Sequence, residues 1–378
     1  MNQQTVAYLK DQLSSAFRET IRNDIGMGKA GAVLFFWYSY RQFNNEEDLK
    51  TCATLLEELL ENLNKSLQNP TSFIFVELTE VCYLLSILES SDLNKIIALD
   101  EIRNDLEKIL KETTSKFITV KNLDPYSGGG YIFNYFADNY DKATSALFIN
   151  FIKENSYTNS KENLVLSLKK DEPIQLGITH GLSFIVLYLS KIAPYTDPDI
   201  LPLLASFCRT IVSQRRAKDH EGSLFSEYLE DDLKNSKISL CYGDLGIFYS
   251  LYRGYEILED DQKMKELTPY MIKEVNRLEE YFKNTEDTSL LYGSGGVLLL
   301  LYFLKPYVQL PELNSLYEKQ LGIYRQKVLT TLADYCNKNT LLSKKELSFS
   351  QGISGSLILL MGLEQNNLSS AKLFYLDH

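Results

Sequence analysis

The chain has 378 residues, 44% hydrophobic and 24% charged, a balance that supports a large buried core. Its formal charge of -11 speaks against a nucleic-acid partner, because phosphate binding needs a concentrated lysine and arginine surface. Five widely spaced cysteines without a CxxC pair, and a polar, amphipathic stretch over 1–30 unlike an export signal, place the chain in a reducing cytoplasm.

In chain order, the sequence predicts a recurring pair of helices. Gly26-Met27-Gly28-Lys29-Ala30-Gly31 leads into an apolar helix over 32–40. Residues 48–67 follow with leucines at helical spacing between glutamates and lysines, which marks an amphipathic helix. An apolar run over 77–88 lacks the glycines, and 94–109 is again amphipathic. Ser127-Gly128-Gly129-Gly130 precedes an apolar helix over 131–136, and Gly177-Ile178-Thr179-His180-Gly181 precedes another over 182–189. The last three apolar segments begin at Cys241-Tyr242-Gly243, at Tyr292-Gly293-Ser294-Gly295-Gly296 and at Gln351-Gly352-Ile353-Ser354-Gly355. The longest apolar run, 297–304, is far short of the roughly 20 residues that span a bilayer, so no membrane span is expected.

Seven such units, each about 50–60 residues long, predict an all-α chain. The expected architecture is a single (α/α) barrel or toroid over 1–378, with about seven inner and seven outer helices. The glycines fall where inner helices begin, where backbones crowd and positive φ is expected.

Three segments carry chemistry. Lys237-Ile238-Ser239-Leu240-Cys241-Tyr242-Gly243-Asp244-Leu245-Gly246 is similar to the Arg-x-x-Trp-Cys-Tyr-Gly-x-x-Gly segment of the LanC-like lanthionine synthetase cyclases, with Lys237 for the Arg and Leu240 for the Trp. Gly177-Ile178-Thr179-His180-Gly181 resembles the Gly-x-x-His-Gly segment of that family, and Asp124-Pro125-Tyr126-Ser127-Gly128 its Asp-x-x-x-Gly segment. The resemblance spans the chain through the number and spacing of the repeats. It implies thioether ring closure, in which a peptide Cys thiol adds to dehydroalanine or dehydrobutyrine.

Carried over by resemblance, His180 is the catalytic histidine, Asp124 its supporting Asp, Tyr242 the active-site Tyr and Lys237 the Arg, while Cys241 is the first zinc cysteine. The other two zinc ligands of the family lie in a Cys-His-Gly-x-x-Gly segment. Here Leu291 replaces the Cys and Tyr292 replaces the His, so two of the three ligands are missing and no metal is expected unless other residues, such as His220 or Cys336, complete the site. The implied protein is a zinc-less, degenerate cyclase, a pseudoenzyme of lanthipeptide biosynthesis. Its expected partners are a modified precursor peptide or the enzyme that modifies it. An active lanthionine synthetase is the alternative, and a glycoside-processing (α/α) barrel using Asp124 with Glu77 or Asp244 is a third class.

Plainer readings stand beside these. Cys241 is also what a small buried apolar residue looks like, and Asp124, ahead of Pro125, is also a turn or cap residue. Asp244, expected to line the cavity with Cys241 and Tyr292, is equally accounted for by capping at a helix start. Tyr242 and Tyr292 either face a cavity or pack between helices. His220 reads as an exposed loop residue, His378 is given no role, and the acidic stretch 227–232 reads as a solvated loop.

Overall fold

The seven apolar segments become seven helices: Lys29–Phe43, Ile74–Leu88, Gly129–Asp138, Leu182–Ile192, Asp244–Ile257, Ser294–Leu304 and Ile353–Glu364. The computed structural model describes residues 3–18, 20–70, 73–89, 92–95, 97–230 and 235–377. His378 and part of the acidic stretch 227–232 lie outside the described residues. Among the described residues, seven amphipathic helices alternate with the apolar ones: Gln3–Arg18, Glu46–Gln68, Leu99–Val120, Lys142–Asn155, Leu201–Ser213, Asp261–Asn284 and Pro311–Lys338. The fold class is therefore all-α. Among the described residues the only sheet is a two-stranded antiparallel pair, with Tyr157 opposite Val165 and Thr158 opposite Leu164.

The largest boundary differences fall on the helix expected over 94–109, which spans Leu99–Val120. The helix expected from residue 94 begins at Leu99, because the side chain of Asn94 accepts the Leu99 N–H at 3.0 Å and turns the chain before the helix starts.

The chain divides into two units, each assembled from separated stretches. The first comprises Met1–Leu110, Glu286–Gly296 and Lys319–Leu373; the second comprises Lys111–Thr285, Val297–Glu318 and Phe374–His378. In the first, Lys29–Phe43 is buried along most of its length and packs on Glu46–Gln68, Ile74–Leu88 and Ile353–Glu364. In the second, every residue of Leu182–Ile192 is buried, against Gly129–Asp138, Leu201–Ser213 and Asp244–Ile257.

The two classes of helix start differently. Three of the amphipathic helices use polar caps: Asn45, Asp141 and Asp260 each accept a backbone N–H of the first turn. The apolar helices led by Gly28, Gly128, Gly181, Gly243 and Gly352 have glycine at the cap and no side-chain cap. Their first donors go to their own preceding loop. Lys29 N–H reaches Arg22 O at 3.0 Å, Gly129 reaches Asn122 O at 3.0 Å, Leu182 reaches Gln175 O at 2.9 Å and Ser294 reaches Asp287 O at 2.8 Å.

That closure brings the carbonyl six residues back onto the cap glycine. A Cβ there would lie 2.8 Å from Arg22 O at Gly28, 2.7 Å from Asn122 O at Gly128 and 2.6 Å from Asp287 O at Gly293, and closer still at Gly181, Gly243 and Gly352. Close approach, more than backbone conformation, is why glycine recurs. The positive φ expected at these starts is found only at Gly243, at 107°, whereas the other four cap glycines are extended.

Gly243→Ala meets both obstacles, the Lys237 carbonyl and a left-handed φ, and should destabilise the protein by more than about 2 kcal/mol. Gly322, exposed inside Pro311–Lys338 with nothing near its would-be Cβ, should give the opposite sign, a gain of about 0.5–1 kcal/mol on Gly322→Ala. Urea denaturation of the two variants beside the parent protein checks both.

Candidate functional site

Counted back from the cap glycine, the residue four before it recurs as a short polar side chain: Asp24, Asp124, Ser239 and Ser348. Each accepts the N–H three residues on, that of Met27 at 2.6 Å, Ser127 at 2.7 Å, Tyr242 at 3.1 Å and Gln351 at 3.2 Å. This is a local side-chain-to-backbone turn, and it accounts for one oxygen of Asp124.

The second oxygen does something else. Asp124 Oδ2 lies 2.6 Å from Nδ1 of His180, a short charge-assisted hydrogen bond. Asp124 Oδ1 also accepts from the Tyr126 N–H at 3.1 Å and the Ser127 hydroxyl at 2.8 Å. Burial works against the Asp124 carboxylate, yet the hydrogen bond and charge of His180, with the Ser127 donors, prevail and hold its pKa below the ordinary value. Asp124 is nearly buried, while His180 keeps 21% of its side chain exposed. Nδ1 faces the carboxylate, so Nε2 is the ring nitrogen turned away from it.

His180 sits among aromatic rings. Tyr242 stacks on it with centroids 6.0 Å apart, and the half-exposed Tyr126 presents an edge at 5.9 Å. Lys237 is exposed, with its Nζ 5.9 Å from the Tyr242 ring centre. His180, Asp124, Tyr242 and Lys237 are thus brought together in the second unit. A crevice of about 10 Å³, the room one water needs, opens beside Asp124 and His180 against the segment 166–175, including Lys169 and Glu172. Sequence reasoning missed that segment, along with Ser127 and Tyr126. Registering the loops on their glycines would have exposed the Asp124 turn, but nothing in the pattern marks 166–175.

Cys241 is placed differently. Two residues before the cap glycine, Thr179, Cys241, Leu291 and Ser350 are all buried; one residue before it, His180, Tyr242, Tyr292 and Gln351 keep exposure. Cys241 therefore occupies the inward position of its loop, its carbonyl accepting the Thr179 hydroxyl at 2.9 Å. Burial pushes its thiol up to about 12, against a smaller lowering by a Thr179 hydrogen bond. In the first unit, Leu291 is likewise buried, its N–H on Ser350 O at 2.9 Å, and Tyr292 is half exposed.

Asp244, expected to line the cavity, is held by hydrogen bonds. Its side chain is fully buried and accepts from the N–H groups of Leu224 at 2.6 Å and Phe225 at 3.1 Å, from the Ser236 hydroxyl at 3.2 Å and from Arg277 at 3.2 Å. It ties Leu224, Phe225 and Ser236 to the start of Asp244–Ile257. The physical reason is its place inside the first turn, facing a loop whose donors need an acceptor.

The sequence matches the family described as lanthionine synthetase C-like protein over residues 19–373, and the chain belongs to that family. A comparison with curated proteins returned no match. No helix among the described residues is long and apolar enough to cross a membrane.

The resemblance assigns zinc to the positions of Cys241, Leu291 and Tyr292. Leu291 has no donor atom, Tyr292 offers only a phenol, and Cys241 keeps a thiol in a buried setting. Among the described residues, no group of three or more His, Cys, Asp or Glu side chains is arranged to hold a metal ion.

Asp124→Asn tests the pair through stability. The folded carboxyl is depressed below its ordinary 3.8, so ionised Asp124 stabilises the fold above that value, and this contribution is lost as pH falls through the lower folded value. The variant should be less stable than the parent at pH 7, and the gap should close as pH drops below about 4. Denaturation curves at stepped pH measure the gap directly.

Proposed function

We propose that this protein works in the maturation of a ribosomally made, modified peptide as a zinc-less relative of the cyclases. It binds the dehydrated precursor, or the enzyme that modifies it, without supplying zinc-dependent ring closure. The observation that carries the reading is the donor set: of the three positions the resemblance assigns to zinc, only Cys241 keeps the family's ligand, while Leu291 has no donor atom and Tyr292 offers a phenol. The His180–Asp124 pair with its exposed tyrosines supplies polar and aromatic contacts suited to a peptide.

The same pair favours a second reading, addition of a peptide thiol without metal. A partly exposed imidazole with a carboxylate on Nδ1 can take a proton at Nε2 from a thiol held against it. Addition to a dehydroamino acid then needs only that thiolate and a proton for the resulting enolate, and holding both reactants together supplies rate. A carbohydrate-processing role draws no support from the site, because Asp244 is committed to backbone donors.

Elemental analysis of the purified protein is expected to give zinc well below one per chain, with Cys241→Ala unchanged. Stoichiometric zinc that disappears in Cys241→Ala would overturn the first reading. A synthetic peptide containing dehydroalanine and Cys is expected to bind without accelerated loss of its free thiol. Accelerated loss that His180→Ala abolishes would instead establish the metal-free addition.

A further inference from the structure

Residues 374–377 run through the interior of the second unit and touch the loop that carries Asp124. Tyr375 is 2% exposed, and its ring packs edge-on against Tyr131, with centroids 6.1 Å apart, and against Phe184 at 5.6 Å. These belong to the helices Gly129–Asp138 and Leu182–Ile192, which start directly after the loops of Asp124 and His180. The Tyr375 hydroxyl donates to the Pro125 carbonyl at 2.7 Å, in a buried contact. Pro125 lies between Asp124 and the two N–H groups, of Tyr126 and Ser127, that hold Asp124 Oδ1.

The segment is fixed from its other end too. The Tyr249 hydroxyl donates to Asp377 O at 2.6 Å, and the Asp377 carboxylate lies 3.7 Å from Lys191, which is paired with Asp138 at 2.7 Å. Between these attachments Tyr375 adopts a φ of 66°, in the left-handed region that a bulky side chain rarely enters. A residue keeps such a conformation where its surroundings over-determine it, and here they are the two rings and the Pro125 carbonyl.

We infer that Tyr375 is a positioning residue for the His180–Asp124 pair, acting through the Pro125 carbonyl. The peptide bond following Pro125 carries that carbonyl on one side and the Tyr126 N–H, a donor to Asp124, on the other. Fixing the carbonyl fixes the plane of that donor, and so the angle at which Asp124 Oδ2 meets His180 Nδ1. A tyrosine is needed because only its hydroxyl, at the end of a ring seated between Tyr131 and Phe184, reaches the carbonyl. The inference concerns the pair and holds whether the pair binds peptide or transfers a proton.

Tyr375→Phe removes the hydroxyl and keeps the ring. Tyr249→Phe is the control, deleting a comparable buried hydroxyl at the other end of the same segment. In protein labelled with ¹⁵N-histidine, the Nδ1–H resonance of His180 is assigned by its disappearance in His180→Gln, and its exchange with water is measured in each variant. Tyr375→Phe is expected to speed that exchange about tenfold, the scale of one neutral hydrogen bond, while Tyr249→Phe leaves it unchanged. Unaltered exchange in Tyr375→Phe overturns the inference, and so does an equal acceleration in both variants, which would reduce Tyr375 to general packing.

Discussion

The constraint on which the rest depends is a backbone contact, the carbonyl six residues before a glycine folded back onto the start of an apolar helix. An apolar helix has no polar side chains to spare for its first N–H groups, and those groups cannot be left bare in a buried setting. The loop supplies its own acceptor, as Arg22 O does for Lys29 and Gln175 O for Leu182. The two strands of the loop then lie so close that a methyl group will not fit between them. Glycine at these positions follows from that proximity. The three amphipathic helices with polar caps, and solvent at hand, show no such requirement.

Once the loop is closed in this way, its remaining positions have fixed orientations, and chemistry is distributed by register. The position four before the glycine caps the loop, the position two before it is buried in most loops, and the position one before it keeps exposure. Asp124 satisfies the loop with one oxygen and is free to orient a histidine with the other. A serine in the same place, as at Ser239 or Ser348, has a single oxygen and can only close the loop. The Asp–His pair is thus a turn whose capping residue has an acceptor to spare. Cys241 shows the converse: a thiol at the inward position is desolvated by the same geometry that places its neighbour Tyr242 against His180.

Much of this was legible beforehand. The seven apolar segments, the amphipathic helices between them and the glycine starts all follow from periodicity, because a helix buried on every side and a helix buried on one side write different patterns. The juxtaposition of Asp124 and His180 was available only by resemblance, since they are separated by a helical pair and no local pattern joins them. An acidic residue at a helix start, as Asp244 is, looks the same in sequence whether it faces water, a cavity or a loop. Only the Leu224 and Phe225 N–H groups, brought to it by folding, decide among these.

The sequence by itself determined the alternation of helices and the glycine at most of the buried starts, because these are properties of residue type and spacing. What only the tertiary structure decided is where a side chain's second partner comes from. That Asp124 spends one oxygen on its own loop and one on His180, that Cys241 faces inward, and that Tyr375 reaches the Pro125 carbonyl are contacts between residues far apart in the chain. Their existence depends on how helices pack, and packing is settled by the fit of whole surfaces, which no stretch of sequence records.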